Sequence, residues 1–596
     1  MDNRPFNRVP ERREAMKKGI MRYFFPIVLL LYPLRHINIG LDLWDTGYNY
    51  ANFTYAGLEH MDPMWFFSTY LSNIIGHGLT LLPGGQTLLF LNLYTGLFVS
   101  LLALLAYYFF TVRIKIPAPI VFLGEFVAVS LCWCPTAVLY NYLTYVFFLI
   151  GVILLYEGLV SDKPILLILA GCALGLNVFV RFSNLPQAGL IVAVWAYGII
   201  GRKKIYRVVK ETLFCMAGYF LAIGFMLIII SIRYGLAYYI NAIKKLFSMT
   251  DTATDYKASS MLYGMFHEYT DHFYWVIRLL VFMVLGFVLC LILPQKLKRT
   301  GRILCVVITI GSGVWLYSRN FFSLDYTVYD SILRPAIVFL IITMFIAMIR
   351  ILQKHTPKEE KLLAGIIILL VLITSLGSNN KLFPSINNMF LAVPYVFWCC
   401  YKLLRSSTVV HVPIIKKVDL FMVKSMMILF ISAFLLQSIG FGTRFVFTEG
   451  TGVKNVDTKI ENNAILKGIY TNKERAQWIS EISDYVSKQE LTGKEVLLYG
   501  QIPALSFYLQ MPASFNPWSD LRSYSQASME EAMAEMEEDL EDGADMPVVI
   551  LDKNQLSVTG DQKLDMINKF MERHGYIMSF SNAKFALFEA EKRAYD

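Results

Sequence analysis

Apolar residues along this chain fall in runs of bilayer length, separated by short polar breaks. A helix needs about 20 mostly apolar residues to cross the hydrocarbon core. About thirteen runs approach that length, near 20–40, 86–111, 117–137, 141–160, 164–181, 185–200, 210–232, 273–293, 303–319, 334–350, 362–377, 389–404 and 418–443. Beyond residue 443 the pattern changes. Apolar runs shorten to strand length at Val496–Tyr499 and Val548–Leu551, and helical periodicity covers 473–488, 526–541 and 561–574. The end reads as two strands, Tyr576–Phe580 and Phe585–Glu589, joined around Ser581-Asn582. Strand alternating with helix predicts a small α/β domain. The expected architecture is a polytopic α-helical membrane bundle over 1–443, followed by a C-terminal α/β domain over 444–596.

Composition agrees with a membrane protein. The chain has 596 residues, of which 56% are hydrophobic and 17% charged, where a soluble protein carries about a quarter charged residues. The net charge of +9 is spread in a way that excludes a nucleic-acid footprint, because no basic patch is interleaved with aromatics. It follows the positive-inside rule instead. With the basic N-terminus (Arg4, Arg8, Arg12, Arg13, Lys17, Lys18, Arg22) placed in the cytoplasm, every inward loop is basic: Arg113/Lys115, Lys163, Arg202-Lys203-Lys204, Lys296–Arg302, Arg350–Lys361 and Lys402–Lys417. Outward loops carry few cations. An odd number of spans then puts the C-terminal domain outside the cytoplasm. Tyr23–Leu34 has the length of a signal-peptide core, but no Ala-x-Ala-like site follows, so it is read as the first span. The eight cysteines all lie in predicted spans and suggest neither a disulfide framework nor a zinc site.

The first outward loop, 41–85, is the exception in charge. Leu41–Thr87 holds Asp42, Asp45, Glu59 and Asp62 without a Lys or Arg. Asp42 and Asp45 are spaced i, i+3, and in a helical turn they share one face, which Asn49 and Asn52 continue. Trp44, Tyr48, Ala51 and Tyr55 would form the opposite face of a helix lying on the membrane surface, unless Gly47 marks a turn. The plain alternative is a pair of solvated carboxylates that cap a helix and set topology. Cations at outer span ends are candidate anion binders: Arg181 with Asn184 beside it, Arg319 and Arg334 around a loop with Asp325 and Asp330, and Lys381 after Gly377-Ser378-Asn379-Asn380. The alternative for Arg181 is a snorkelling anchor. Lys244 and Lys245 sit in the outer loop 233–272, on an expected amphipathic surface helix. His60, His77, His267 and His272 lack zinc spacing. No phosphate-binding Gly-rich motif occurs, so no nucleotide is expected.

A cytoplasmic N-terminus, many spans, Asp42-x-x-Asp45-x-Gly47-Tyr48 in an acidic first outer loop and an outer C-terminal α/β domain resemble the GT-C superfamily. These are membrane glycosyltransferases such as protein O-mannosyltransferases, aminoarabinose transferases and oligosaccharyltransferases. The resemblance implies a catalytic or acceptor-orienting role for Asp42 or Asp45, with Asn49, Glu59, His60 and Asp62 as neighbours. It also implies a sugar donor on a polyprenyl phosphate, and a glycan, lipid or protein acceptor. The motif departs from the Asp-Glu doublet of the O-mannosyltransferases and from the Glu-x-Asp or Asp-x-Asp of other branches, so subfamily and use of a divalent metal stay open. The competing expectations are a flippase for a lipid-linked glycan and a non-catalytic scaffold. A flippase would place charges mid-span, where only Glu125, Glu157, Arg278 and Lys424 qualify.

Overall fold

A computed structural model describes residues 19–56, 62–132, 138–252, 257–292, 297–410, 418–447, 452–556 and 560–591. Among them, eight helices are long and apolar enough to cross a membrane by length and composition: Leu88–Arg113, Leu139–Ser161, Phe182–Gly201, Ile205–Tyr234, Ser259–Leu289, Lys298–Ser318, Asp330–Leu352 and Phe421–Arg444. Ala118–Leu131 and Pro164–Val180 are shorter apolar helices. The remaining expected spans also fall on helical backbone, at 20–36, Lys358–Ile373 and Ala392–Arg405. The last two are short and interior: Ile366, Ile367, Ala392, Val393 and Tyr395 are fully buried by protein. Ile205–Tyr234 shows the opposite, a row of exposed Leu213, Phe220, Leu221, Phe225, Ile228 and Ile232. Water would not tolerate such a stripe, and lipid does. Its other face packs closely on Pro164–Val180 because small residues meet there. A Cβ on Gly218 would lie 1.9 Å from the Ile168 carbonyl oxygen, and one on Gly171 2.0 Å from that of Cys215, the close backbone approach that small residues permit between membrane helices.

The first loop is not open chain. It folds into α1 (Asp45–Thr54), α2 (Pro63–Ser68) and α3 (Tyr70–Thr80). The expectation of a surface-lying α1 is corrected. Thr46 through Ala51 and Phe53 are all buried, because the C-terminal domain sits on this helix. Gly47 is helical and makes that docking possible, since a Cβ there would lie 2.0 Å from the Ala504 Cβ. Leu236–Thr252 is the expected separate helix.

The C-terminal domain matches its sequence reading closely. Helix α4 spans Lys473–Lys488, α5 Leu505–Tyr508, α6 Gln526–Glu541 and α7 Gln562–Arg573; the strands are β1 (Val496–Tyr499), β2 (Val548–Asp552), β3 (Tyr576–Ser581) and β4 (Phe585–Ala590). The sheet order is β1-β2-β4-β3. β1 runs parallel to β2 with Val496 opposite Val548, β2 antiparallel to β4 with Ile550 opposite Leu587, and β3 pairs with β4 across an irregularity between Met578 and Phe580. Every residue of the edge strand β1 and of its neighbour β2 is buried, because the sheet is covered on both faces. Alternation assigns the faces. Leu497, Tyr499, Val549 and Leu551 pack with Met529, Met533, Leu564 and Phe570 of α6 and α7. Leu498, Ile550 and Leu587 pack with Ile479 and Ile482 of α4. That second core continues without a break into Leu41, Tyr50, Phe53, Leu88, Leu91 and Val180. The domain, the acidic loop and one end of the bundle therefore share a single hydrophobic core.

Candidate functional site

The acidic segment is held from both sides. From the bundle, the Asn92 amide donates to the Ile37 carbonyl at 2.8 Å and accepts from the Tyr50 hydroxyl of α1 at 3.1 Å. From the C-terminal domain, the Tyr470 N–H donates to the Asn38 carbonyl at 2.9 Å, and the Gly40 N–H to the Tyr470 carbonyl at 2.8 Å. Arg475 donates through Nη1 to the Leu41 carbonyl at 2.7 Å. The Tyr508 hydroxyl donates to the Asp42 carbonyl at 2.6 Å, and the Ala504 N–H to the Leu43 carbonyl at 3.0 Å. Arg475 is itself fixed in the first turn of α4, because the Asn472 side chain caps that helix by accepting its N–H at 3.0 Å.

The two aspartates divide their work. Asp42 is 5% exposed. Its Oδ1 accepts the Trp44 N–H at 3.0 Å and its Oδ2 the Thr46 N–H at 2.7 Å, so it caps the entry to α1 from outside the helix. Burial raises its pKa, against those N–H groups and the Arg475 charge, which lower it. Asp45 opens α1. Its carboxylate is half-buried and has no hydrogen-bond partner among the described residues. Burial, then the neighbouring Asp42 charge, raise its pKa from 3.8 to about 7. A carboxyl group poised there exchanges its proton near neutrality.

The other expected site residues are less close to this pair. Asn49 spends its amide on the Asp45 carbonyl at 2.7 Å. Asp62 caps α2, accepting the Trp65 N–H at 3.1 Å. Burial raises its pKa, opposed by its backbone hydrogen bonds, by Lys245 and by Asn516. Glu59 and His60 lie outside the described residues. Arg181 stands over the Tyr140 ring, 5.2 Å from its centroid, with the Asn141 Oδ1 at 3.5 Å. Tyr140 packs on the core that contains Leu41 and Tyr50. Asn184 is buried in a bundle network, donating to the Thr144 hydroxyl at 2.7 Å and the Asn177 carbonyl at 2.9 Å. Arg319 is exposed at a helix end. Arg334 donates to the Asn320 carbonyl at 2.7 Å. Lys381 pairs with Glu268 at 2.6 Å. Of the mid-span charges, Glu157 pairs with Arg113, Arg278 stacks on Tyr274, Trp275 and Trp315, and Lys424 donates to the Leu404 and Ser406 carbonyls. Glu125 is fully buried and neither of its oxygens has a partner among the described residues.

Sequence reasoning missed Tyr470, Arg475, Ala504 and Tyr508, which no motif marks. Two spaces adjoin Asp42: a cavity of about 30 Å³ that His36, Thr46, Asn92 and Phe445 also line, and a cleft of about 810 Å³ between the 42–44 segment and α4. No group of three or more His, Cys, Asp or Glu residues is gathered as metal ligands among the described residues.

No protein-family model and no curated protein matches the chain. Solved structures that match include an oligosaccharyltransferase of Archaeoglobus fulgidus tethered with an acceptor peptide containing the NVT sequon (11% identity, TM-score 0.46, 96% of this chain and 75% of that one). Another is the oligosaccharyltransferase AglB of Archaeoglobus fulgidus with an inhibitory peptide and a dolichol-phosphate (11%, 0.44, 96% and 75%). A third is ArnT from Cupriavidus metallidurans bound to undecaprenyl phosphate (11%, 0.40, 96% and 98%). At this identity and TM-score the likeness carries no argument about chemistry.

Proposed function

We propose that this chain is a membrane glycosyltransferase that moves a sugar from a polyprenyl-phosphate-type donor to an acceptor, with Asp45 as general base. The observation that carries the proposal is the Asp45 carboxylate: half-buried, free of partners among the described residues, and raised to about 7 on a helix whose entry is pinned by two parts of the molecule. The acceptor's proton passes to Asp45 as the acceptor atom bonds to the anomeric carbon. The bond from that carbon to the phosphate oxygen breaks, its electron pair leaves with the lipid phosphate, and the anomeric centre inverts. One carboxylate suffices for such a single displacement, whereas glycosidases need two. Asp42 is a positioning residue that fixes the start of α1. Arg181 is assigned to the leaving phosphate, where a guanidinium stabilises the developing charge. The cation bias of alternate loops places this end and the C-terminal domain on the extracytoplasmic face of the cytoplasmic membrane.

The test is release of polyprenyl phosphate from a set of polyprenyl-phosphate sugars by the full chain in nanodiscs. Asp45→Asn should lower the rate by about a hundredfold or more, with no drop in melting temperature. Turnover of Asp45→Asn at the wild-type rate, or no turnover of any donor by the wild type, refutes the proposal.

A further inference from the structure

The cleft of about 810 Å³ beside the acidic segment has a composition that selects a ligand. Its charges cancel: Asp42, Asp457 and Glu474 face Lys473, Arg475 and Lys584. Several are already engaged. Lys584 pairs with the buried Asp552 at 2.7 Å, and Arg475 holds the Leu41 carbonyl. A polyphosphate or a strongly acidic chain finds no net attraction in such a wall, and a lipid tail finds too many polar groups. What remains is planar hydrogen-bonding capacity, from the side chains of Asn455 and Gln501, and two indoles, Trp44 and Trp478.

Both tryptophans are half-buried, and neither has a ring contact with another aromatic among the described residues. The Trp44 indole N–H is buried without a hydrogen-bond partner among them, so what Trp44 offers the cleft is its ring. An indole presents a flat apolar face with one polar edge. A neutral sugar is its complement, with a patch of C–H groups on one face of the ring and hydroxyls around its rim for amides and carboxylates to bind. Asp42, Leu43 and Trp44, the three residues that precede Asp45 in the chain, line one part of the cleft.

We infer that this cleft binds the neutral oligosaccharide part of a glycan acceptor, and that sugars remote from the reaction are held on Trp44 and Trp478 while a terminal hydroxyl is offered to Asp45. The inference rests on the glycosyltransferase reading for its use, but not for its binding test. The full chain in nanodiscs is titrated with short neutral oligosaccharides of gluco, manno, galacto and arabino type, with oligogalacturonides as charged controls and unglycosylated peptides as a second control. One neutral series should bind saturably. Trp478→Ala should weaken it about tenfold or more, and Trp478→Phe should recover most of the loss. The Asn582 contact to Trp478 goes to its backbone carbonyl and survives either change. Gln501 is exposed, so Gln501→Ala should weaken binding with no loss of core packing. Absence of saturable binding by every neutral series, preference for oligogalacturonide or peptide, or wild-type affinity in both Trp478→Ala and Gln501→Ala each overturns the inference. Saccharide binding without donor turnover would leave the cleft standing and remove the transferase. Donor turnover without saccharide binding would do the reverse.

Discussion

At the scale of single residues, the two aspartates of the first loop differ in what their oxygens already do. Asp42 spends both on backbone N–H groups and Asp45 spends neither among the described residues, which makes Asp45 the freer of the two to take a proton. The sign of its pH dependence follows. A base with a pKa raised to about 7 is inactive when protonated, so kcat/KM should climb with pH through about 7 and level above it. That limb belongs to the coupled pair and should vanish in Asp45→Asn. Stability runs the other way. A carboxyl group whose folded pKa lies above its unfolded one binds more protons when folded, so its contribution is full below the unfolded value of 3.8 and is lost as pH rises through about 7. Melting temperatures measured across that window should fall less steeply for Asp45→Asn than for the wild type; an equal slope would contradict the assignment. The aspartate pair was legible in sequence because charge is conspicuous in an apolar chain. Its partners were not. Arg475 lies 434 residues from the carbonyl it holds, and Tyr508 lies 466 from its own, separations across which no local pattern speaks.

At the scale of elements, periodicity was a good guide wherever one element meets one environment. Strands β1 and β2 and helices α4 and α6 appear where their apolar spacing placed them. It misled at α1, because a helix covered on both sides by separate parts of the chain shows the same amphipathic stripe as one lying on lipid. Gly47 records the difference. Its Cβ would meet the Ala504 Cβ at 2.0 Å and the Ala504 Cα at 2.4 Å, so Gly47→Ala should destabilise the docked domain by about 1–3 kcal/mol and lower activity with it. Ala504→Gly should not rescue the variant, because the clash with the Cα stays. A full rescue, read as recovery of the melting temperature, would show that α1 and α5 are not in backbone contact.

At the scale of the whole molecule, the bundle and the C-terminal domain are joined by one core, and loop charge predicts an extracytoplasmic side for that end. Lys488 is exposed at the end of α4. Lys488→Cys should react with a membrane-impermeant maleimide in intact cells; labelling only after permeabilisation would reverse the orientation and move the proposed chemistry to the cytoplasmic face. Most of the layout was legible because bilayer crossing leaves so strong a compositional mark. The continuity of the two parts was not, since Leu41, Val180 and Ile479 enter their shared core from three distant stretches of sequence.

The pinning of residues 38–43 by Tyr470, Arg475, Ala504 and Tyr508 also has a temporal side. Leu41 precedes Arg475 by 434 residues in order of synthesis, and Asp42 precedes Tyr508 by 466. A nascent chain that has not yet reached Tyr508 holds residues 38–43 without the full set of these hydrogen bonds. The order of the acidic segment is thus a late event in the making of the chain, set when 470–508 reach it.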